Sequence, residues 1–439
     1  MKLFTENKEQ QKKIKPIRLT SIDLFAGCGG LSLGLEQAGF TPIFANELNG
    51  TALETYIENR RKDYEYLANK KFHCNDVKSM IIKKEYIDNL IKLFKDNFGI
   101  ENGDLDLVAG GPPCQGFSGI GHRRSYAVAK EQLPSNHLYQ DMAHIVHRLR
   151  PKVFLFENVR GLLNSKWNDS GKKGEIFEDV MQTFRDIDEY RIGWSLVYSK
   201  NYGVPQNRPR VLIVGIRNDI HVNGESNDEI DGVKKGFLPK VNVNIFPPTI
   251  EELFSDILDV DYKNGGQTYL YPMNHLNVYQ ETLRTNQDNK TVKEKGAILT
   301  EHKYTNHGPT VVAKYLAMLA DKKHRIPEQF KTKKFAQKVL PKVWGPNGPT
   351  ITATSLPEDY VHYVQPRILT VREWARLQMF PDWYQFAGKR TTGGLRRAGN
   401  PREGLFEREV PKYTQIGNAV PVKLAFEVGF HLANILRNQ

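Results

Sequence analysis

One cysteine of this chain lies where a strand is expected to end. Cys114 follows the apolar run 105–109 and the turn residues Gly-Gly-Pro-Pro at 110–113. The two prolines fix φ and remove two backbone donors, so neither a strand nor a helix can continue through them. Open α/β sheets place their chemistry at such carboxyl ends of strands. Cys114 is therefore a candidate nucleophile or a small buried hydrophobe, and this segment alone leaves the two interpretations in balance.

A glycine-rich turn and two acids indicate a nucleoside site. The first predicted strand, 21–25, leads through Ala-Gly-Cys-Gly-Gly at 26–30 directly into a helix, and glycines let a ligand approach the backbone closely. Glu47 can accept hydrogen bonds from both hydroxyls of a ribose, and Asp76 can accept one from an adenine amine. Taken singly, each acid is more simply a surface or capping residue. Because the chain lacks the Gly-x-Gly-x-x-Gly pattern of NAD and FAD sites, the pair favours S-adenosylmethionine (AdoMet).

An alternating order of strands and helices positions these residues. The apolar runs that predict strands are 21–25, 42–45, 105–109, 153–156 and 211–216. Helices are predicted between them at 31–38, 50–58, 138–149 and 176–187. This order predicts an α/β fold with a doubly wound, mostly parallel sheet.

The pattern changes after residue 217. The segment 218–345 is rich in Asn, Lys, Asp, Gly and Pro and is too long to be one loop, which indicates a second domain or a set of functional loops. Helical spacing returns at 371–380, and an amphipathic helix is predicted at 421–436, with a proline near its start.

Composition limits the compartment and the partner. The chain has 439 residues and a formal net charge of +12, which suggests an acidic partner such as nucleic acid. Its three cysteines have neither disulfide nor zinc-ribbon spacing, which fits a reducing cytosol and predicts no metal site. The N-terminus lacks the apolar core of a signal peptide, and no apolar run is long enough to cross a bilayer. We therefore expect a cytoplasmic protein that does not enter a membrane.

Further motifs, in their order along the chain, resemble the DNA (cytosine-5)-methyltransferase family. Pro-Pro-Cys at 112–114 and Glu-Asn-Val at 157–159 are the most specific pair. Gln-Asn-Arg-Pro-Arg at 206–210, the stretch 367–381 and Gln-Ile-Gly-Asn-Ala-Val-Pro at 415–421 are also similar to the family. The resemblance covers about 18–217 and 366–436 and is closest to the methyltransferases of bacterial restriction-modification systems.

The resemblance implies a Rossmann-like, AdoMet-dependent methyltransferase domain with a smaller, irregular target-recognition domain. The expected division is a basic tail at 1–16, a catalytic domain formed by 17–217 with 411–439, and a target-recognition domain at 218–410. The expected partner is double-stranded DNA, bound by a monomer. A cognate restriction endonuclease would be a functional rather than a physical partner.

The family chemistry explains why these residue types are needed. Cys114 would attack carbon-6 of a cytosine flipped out of the duplex, because carbon-5 alone is a poor nucleophile. Protonated Glu157 would donate to N3 of the ring and accept from its amine, a role for which we expect burial to raise the pKa of Glu157. Arg210, together with Arg208, would contact O2 of the cytosine and the phosphate.

The resemblance also implies the remaining contacts. The residues expected around AdoMet, and its product S-adenosylhomocysteine, are Phe25, Ala26, Gly27, Cys28, Gly29, Gly30, Glu47, Leu48, Asp76, Val77, Pro113, Leu138, Asn418 and Ala419. The residues expected to contact DNA are Ser118, Gln206, Trp344, Thr350 and Thr352. Ser118 could equally be a turn serine. The basic stretch 388–403 is interpreted as a solvated loop, with a phosphate-binding arm as the alternative.

Three other functions fit the sequence less well. RNA cytosine-5 methylation is known in one subgroup of the family, but the long variable segment 218–365 favours duplex DNA. A DNA-binding regulator without catalysis is disfavoured because every expected catalytic residue type is present. A dinucleotide oxidoreductase is disfavoured by the missing glycine fingerprint.

Overall fold

Seven strands form the central sheet of this protein, which is described here from a computed structural model. The structure describes residues 19–113, 134–222, 226–230, 233–235, 237–242, 244–331, 337–343, 350–351, 357–391 and 409–439. The strands of the sheet are β1 (Thr20–Leu24), β2 (Thr41–Asn46), β3 (His73–Cys74), β4 (Leu107–Gly110), β5 (Val153–Val159), β6 (Tyr190–Tyr198) and β7 (Pro209–Arg217).

The strand order is β3-β2-β1-β4-β5-β7-β6. All pairs from β3 to β5 are parallel, and β7 runs antiparallel to both of its neighbours, β5 and β6. The predicted α/β fold with a doubly wound, mostly parallel sheet is confirmed. The antiparallel direction of β7 and the strands β3 and β6 were not predicted.

Helices cover both faces of the sheet. In the first half of the chain these are α1 (Gly30–Gln37), α2 (Gly50–Glu58), α3 (Lys78–Ile82), α4 (Glu85–Phe98), α5 (Leu138–Leu149) and α6 (Glu175–Arg185). Alternate residues of the central strands enter two separate cores: Phe154 and Phe156 pack with α4, α5 and α6, whereas Val153 and Leu155 pack with α1. Burial on both faces is why these strands are continuous apolar runs in the sequence.

The end of the chain returns to the sheet. After the irregular segment, the helices α11 (Lys412–Asn418) and α12 (Val422–Arg437) follow each other, separated by residues 419–421. A side chain at Gly34 of α1 would lie 2.5 Å from the carbonyl oxygen of Val422, so only glycine allows this approach of α12. The run 412–437 is apolar and long enough to cross a membrane by composition, but 67% of its most apolar window is buried inside the protein.

The segment between β7 and α11 is mostly irregular. It contains the hairpin β8 (Ser226–Ile230) and β9 (Val233–Lys235), the short parallel pair β10 (Lys338–Val339) and β11 (Tyr360–Val361), and the helices α7 (Ile250–Phe254), α8 (Val278–Arg284), α9 (Pro309–Ala320) and α10 (Val371–Arg376). The helix predicted at 371–380 ends at Arg376, and Met379 takes a φ of +60°, which no helix continues through.

Buried ion pairs hold this irregular segment together. Fully buried Arg376 lies 2.6 Å from Asp256 and 2.5 Å from Asp382, and Arg367 makes two hydrogen bonds of 2.7 Å to Glu373. A buried charge is tolerated only when it is paired in this way. The pair of Arg376 and Asp256 joins loops that are 120 residues apart in the chain, and the other two pairs fix local turns.

Candidate active site

Three strand ends meet at one edge of the sheet. Leu24 of β1 is paired with Gly110 of β4, which is paired with Phe156 of β5. The glycine-rich turn therefore begins next to the Gly-Gly-Pro-Pro loop, and Glu157 lies beside that loop. This is the carboxyl edge, where the sequence analysis expected the chemistry.

The nucleophile predicted from the sequence, Cys114, lies outside the described residues, as do Ser118, Trp344 and Thr352. The chain that leads to it is described as far as Pro113, which is exposed. Asn158 Nδ2 donates to the carbonyl oxygen of Pro112 at 3.3 Å. The end of β5 therefore holds the backbone two residues before the cysteine.

Glu157 lies against the same loop and beside an arginine. Its residue exposure is 8%, and its Oε1 is 2.5 Å from Nε of Arg210 in an ion pair. The antiparallel register brings the two residues together, because Arg210 is paired with Val159. A Cβ on Gly111 would lie 2.9 Å from Glu157 Oε2, closer than real Cβ contacts come, so a side chain at this position would displace the Glu157 carboxylate. The predicted pair of Glu157 and Arg210 is thus adjacent in space.

Arg208 is placed differently from Arg210. It is 1% exposed, and its Nη2 donates to the carbonyl oxygens of Gly417 at 2.9 Å and Ala419 at 3.0 Å, while Nη1 donates to that of Ile351. Burial, reinforced by the neighbouring Arg210 charge, lowers the pKa of Arg208. These bonds direct the guanidinium into the protein, where it joins the α11–α12 junction to the loop before β7.

Two residues expected to contact DNA take part in the same junction. Gln206 is buried; its Nε2 donates to the carbonyl oxygen of Leu377 at 2.9 Å, and its Oε1 accepts from the N–H of Ile351 at 3.1 Å. The Thr350 hydroxyl donates to the carbonyl oxygen of Asn207. Both side chains therefore bond to the chain itself.

The glycine-rich turn has an open face. Phe25, Gly27 and Gly29 have φ values of +57°, +57° and +86°. A Cβ on Gly27 would meet nothing within 4 Å, whereas one on Gly30 would lie 2.5 Å from the carbonyl oxygen of Val420. Gly27 thus borders free space that a ligand can enter, and Gly30 is required for packing against the α11–α12 junction, next to Ala419.

Glu47 is bound to this turn. Its Oε2 accepts from the N–H of Gly27 at 2.8 Å and its Oε1 from the N–H of Asn49 at 2.8 Å. Burial raises the pKa of Glu47, and the two N–H donors act against that rise. The carboxylate oxygens retain further lone pairs, so they can also accept from a ribose.

The second acid lies one strand further along the edge. Asn75 Nδ2 donates to the carbonyl oxygen of Glu47 at 3.2 Å, which joins the turn that carries Asp76 to the first acid. Asp76 is exposed, and its Oδ1 accepts from the N–H of Lys78 at 2.9 Å. Lys78 Nζ lies 2.7 Å from Asp141 Oδ2 of α5, so the Asp76 turn is fixed against the start of that helix.

The other expected cofactor contacts differ in exposure. Leu48 is 75% exposed, so its side chain is accessible to a ligand. Leu138 is half-buried, Asn418 is exposed, and Val77 is buried. Cys28 is buried with Sγ 3.4 Å from the carbonyl oxygen of Gln415, and burial raises its pKa to about 12, so its thiol is unreactive.

These residues fit AdoMet on chemical grounds. An open glycine turn, a carboxylate fixed beside it, a second exposed acid and an exposed apolar residue supply what its amino acid, ribose and adenine parts require. Within the ranges that the structure describes, no three His, Cys, Asp or Glu side chains are grouped as a metal site would need.

Four residues of the site were not assigned a role from the sequence. Gly111 belongs to the Gly-Gly-Pro-Pro run at 110–113 and Asn158 to the Glu-Asn-Val motif at 157–159, so the motifs themselves indicated both residues. Arg60 and Tyr384 carry no such signal, although both contact the glycine-rich turn. Arg60 is 31 residues from its partner Gly29, and Tyr384 is 356 residues from its partner Cys28.

Comparison with known proteins identifies the class. A family model described as C-5 cytosine-specific DNA methylase matches residues 19–434, and the chain belongs to this family. The Type II methyltransferase M.DdeI of Desulfomicrobium norvegicum is 31% identical over 418 residues, which cover 92% of this chain and 86% of that protein. The Type II methyltransferase M.XorII of Xanthomonas oryzae pv. oryzae is 28% identical, with 96% of this chain and 86% of that protein covered.

A solved structure agrees with this assignment. The crystal structure of a protein described as a DNA modification methyltransferase encoded within an E. coli prophage matches with a TM-score of 0.63 at 25% identity, covering 95% of this chain and 99% of that one. The protein is a DNA (cytosine-5)-methyltransferase of the type II restriction-modification kind. The family to which it belongs depends on AdoMet.

Proposed function

We propose that this enzyme methylates carbon-5 of one cytosine in a short double-stranded DNA sequence, after flipping that cytosine out of the duplex. The observation that carries the proposal is the arrangement of Glu157, Arg210 and Asn158 around the backbone that leads to Cys114. A target base inside a stacked duplex is out of reach of such a recessed edge, so it must be extruded.

Cys114 is the proposed nucleophile. Its thiolate adds to carbon-6 of the cytosine, and the electron pair of the ring double bond moves to carbon-5. AdoMet, when bound, would supply the electrophilic methyl group that this carbon takes up, with S-adenosylhomocysteine as the product. A base then removes the proton from carbon-5, the ring double bond re-forms, and Cys114 departs as a thiolate.

Glu157 and Arg210 are the proposed electrostatic partners of the ring. Attack at carbon-6 places negative charge on N3 and O2, where a donor stabilises the transition state. A proton shared between Glu157 and N3 meets this need on one side, and Glu157 also accepts from the exocyclic amine, which thymine lacks. Arg210, which is in contact with Glu157, would donate towards O2 or the adjacent phosphate.

Arg208, Gln206 and Thr350 are proposed as positioning residues rather than substrate contacts. Their polar atoms bond to main-chain groups of the loop before β7, of residues 350–351 and of the α11–α12 junction. They would set the place of Arg210, two residues after Arg208, without touching the substrate.

AdoMet is proposed to lie across the ends of β1, β2 and β3. Glu47 would accept from its ribose, Asp76 from its adenine amine, and Leu48, Val77 and Leu138 would pack about the ring. The turn at 25–30 would line the methionine part, with Pro113, Asn418 and Ala419 at its border.

DNA is proposed to bind between this edge and the target-recognition domain at 218–410, with 17–217 and 411–439 as the catalytic domain. Lysine and arginine contacts to phosphates would make the affinity strongly salt-dependent. The enzyme would act as a monomer in the bacterial cytosol, and a cognate restriction endonuclease would cut the same sequence when it is unmethylated.

The test is bisulfite sequencing of DNA from cells that lack cytosine-5 methylation and express this chain. We expect complete protection of one cytosine within one short sequence context, and no protection with the Cys114→Ser variant. Unmodified DNA in cells that contain folded, AdoMet-binding protein would contradict the proposal and favour RNA as the substrate or a regulatory role.

A further inference from the structure

Arg60, two residues beyond the end of α2, is buried against the glycine-rich turn. It is buried, its Nε donates to Glu36 Oε1 at 2.7 Å, and its Nη1 donates to the carbonyl oxygen of Tyr56 at 2.9 Å. The guanidinium also lies 3.7 Å above the centre of the Tyr56 ring, a favourable cation–π distance. Its position is therefore fixed by α1 and α2 without help from the turn.

Tyr384 reaches the same place from a distant part of the chain. Its hydroxyl accepts from Arg60 Nη1 at 3.1 Å and donates to the carbonyl oxygen of Cys28 at 2.5 Å. Arg60 Nη2 donates to the next carbonyl oxygen, that of Gly29, at 3.2 Å. Arg60 and Tyr384 thus bind two consecutive carbonyl groups of the turn, those of Cys28 and Gly29, from the same side.

The turn rests directly on this pair. A Cβ on Gly29 would lie 2.7 Å from Arg60 Nη1 and 2.8 Å from the Tyr384 hydroxyl, so a side chain has no room there. Gly27, two residues earlier, borders free space. The turn therefore has one face bound to Arg60 and Tyr384 and an opposite face open to a ligand.

The backbone of this turn needs such support. Phe25 has a φ of +57°, in the left-handed region that is unfavourable for a residue with a side chain. A conformation of this kind persists only where the surrounding contacts fix it. The two carbonyl contacts, three and four residues further on, are among the contacts that fix it.

Tyr384 is itself positioned by contacts that do not involve its hydroxyl. Asn59 accepts from the N–H of Gln385 at 2.9 Å and donates to the Gln385 carbonyl oxygen at 2.7 Å. Thr55 Oγ1 accepts from the N–H of Ala387 at 2.9 Å. Removal of the hydroxyl should therefore leave the tyrosine ring and its segment in place.

We propose that Arg60 and Tyr384 are positioning residues of the AdoMet site, which hold the carbonyl groups of Cys28 and Gly29 so that the turn is preformed for the cofactor. This inference rests on the proposed function, because it assigns AdoMet to the open face of the turn. Preorganisation lowers the ordering cost of binding, so its loss weakens affinity without any change in a ligand contact.

The test compares two conservative tyrosine variants of the full-length protein. Tyr384→Phe removes only the hydroxyl, and Tyr190→Phe is the matched control, because the Tyr190 hydroxyl likewise donates to a buried carbonyl oxygen, that of Pro151, at 2.6 Å. Tyr190 belongs to β6, which forms one edge of the sheet, and Glu47 follows β2, the second strand from the other edge. Affinity for AdoMet and for S-adenosylhomocysteine is measured by calorimetry without DNA, and unfolding temperature is measured for each variant.

We expect Tyr384→Phe to bind both ligands about five- to tenfold more weakly, because binding must then also order the unsupported turn. In turnover, KM for AdoMet should rise by the same factor while kcat at saturating AdoMet stays within about twofold. DNA affinity without cofactor should be unchanged. Tyr190→Phe should lower the unfolding temperature similarly but leave both affinities as in the wild type.

Arg60→Lys provides a second variant, since lysine keeps the charge beside Glu36 but cannot bond the Gly29 carbonyl and Tyr384 together. It should also weaken AdoMet binding. Unchanged AdoMet affinity in Tyr384→Phe, or equal weakening in Tyr190→Phe, would overturn the positioning role. Wild-type protein that is folded yet binds no AdoMet would instead overturn the proposed function.

Discussion

Replacement of Gly111 by alanine should lower the rate of methyl transfer without lowering the stability of the protein. The new Cβ would lie 2.9 Å from Glu157 Oε2, but 3.7 Å from the Glu157 carbonyl oxygen and 3.9 Å from its Cβ. Only the carboxylate end is too close, and it can move. The φ of Gly111 is outside the left-handed region, so alanine fits the backbone without strain.

The magnitude follows from the displacement. A comfortable contact between a carbon and an oxygen is about 3.4 Å, so the carboxylate must move by roughly 0.5 Å. A shift of that size disturbs the 2.5 Å contact with Arg210 and, with it, the proposed alignment with cytosine N3. Because a misplacement of about 1 Å can reduce a rate about 100-fold, we expect kcat to fall about tenfold. Stability should stay equal or rise by ~0.5 kcal/mol, because alanine restricts the unfolded chain.

The assay is single-turnover transfer of a labelled methyl group to unmethylated plasmid DNA, together with urea unfolding. Gly308→Ala is the control, since a Cβ at Gly308, before α9, would meet nothing within 4 Å and its φ is −63°. That control should retain wild-type methylation. Gly111→Ala with an undiminished rate would refute the assigned role of the Glu157 carboxylate, and a destabilised variant would refute the reading that only the carboxylate moves.

Three further predictions concern charge and hydrogen bonding. Burial raises the pKa of Asp23 to about 8 from the ordinary 3.8, so the stability of the protein should decline as pH rises from about 4 to about 8. In urea unfolding, Asp23→Asn should therefore gain more stability at pH 8 than at pH 5. Equal gains at the two pH values would contradict this. Lysine in the variant Arg208→Lys cannot bond three separate carbonyl groups in the same geometry, so the variant should lose about 2–3 kcal/mol of unfolding free energy. An unchanged unfolding free energy would argue against the role of Arg208 in joining the α11–α12 junction to the loop before β7. In Glu47→Gln the new NH2 group must face the N–H of Gly27 or Asn49, so one hydrogen bond is replaced by two opposed donors. Calorimetry should therefore show AdoMet affinity reduced about tenfold. Wild-type affinity in this variant would exclude Glu47 from the site.

The central strands were predictable because burial on both faces makes them apolar throughout. Strands β1, β2, β4, β5 and β7 each correspond to one of the predicted runs. The two missed strands are at the edges: β3 has only two residues, and β6 is half-buried along most of its length. Strand direction is not encoded in an apolar run, which is why the antiparallel placement of β7 required the structure.

The site was predictable where its parts are close to strand ends. Glu157 and Arg210 belong to motifs of the family resemblance, which predicted both residues, but their contact depends on the antiparallel register of β5 and β7. The inward direction of Arg208 could not be foreseen, because its acceptors at Ile351 and Gly417 are 143 and 209 residues away. Contacts of such separation depend on the packing of the irregular segment, for which local sequence carries little information.

The central claim is covalent catalysis by Cys114 on cytosine, and the most direct measurement is adduct formation with fluorinated DNA. Duplex DNA in which every cytosine is 5-fluorocytosine is incubated with the enzyme and AdoMet, then analysed by denaturing electrophoresis and intact mass. Fluorine cannot leave as a proton does, so the thioether to carbon-6 should persist, with one methyl group added to the base. We expect this adduct in the wild type, none in Cys114→Ser, and less in Glu157→Gln. An adduct that persists in Cys114→Ser, or its absence in an enzyme that methylates ordinary DNA, would contradict the mechanism.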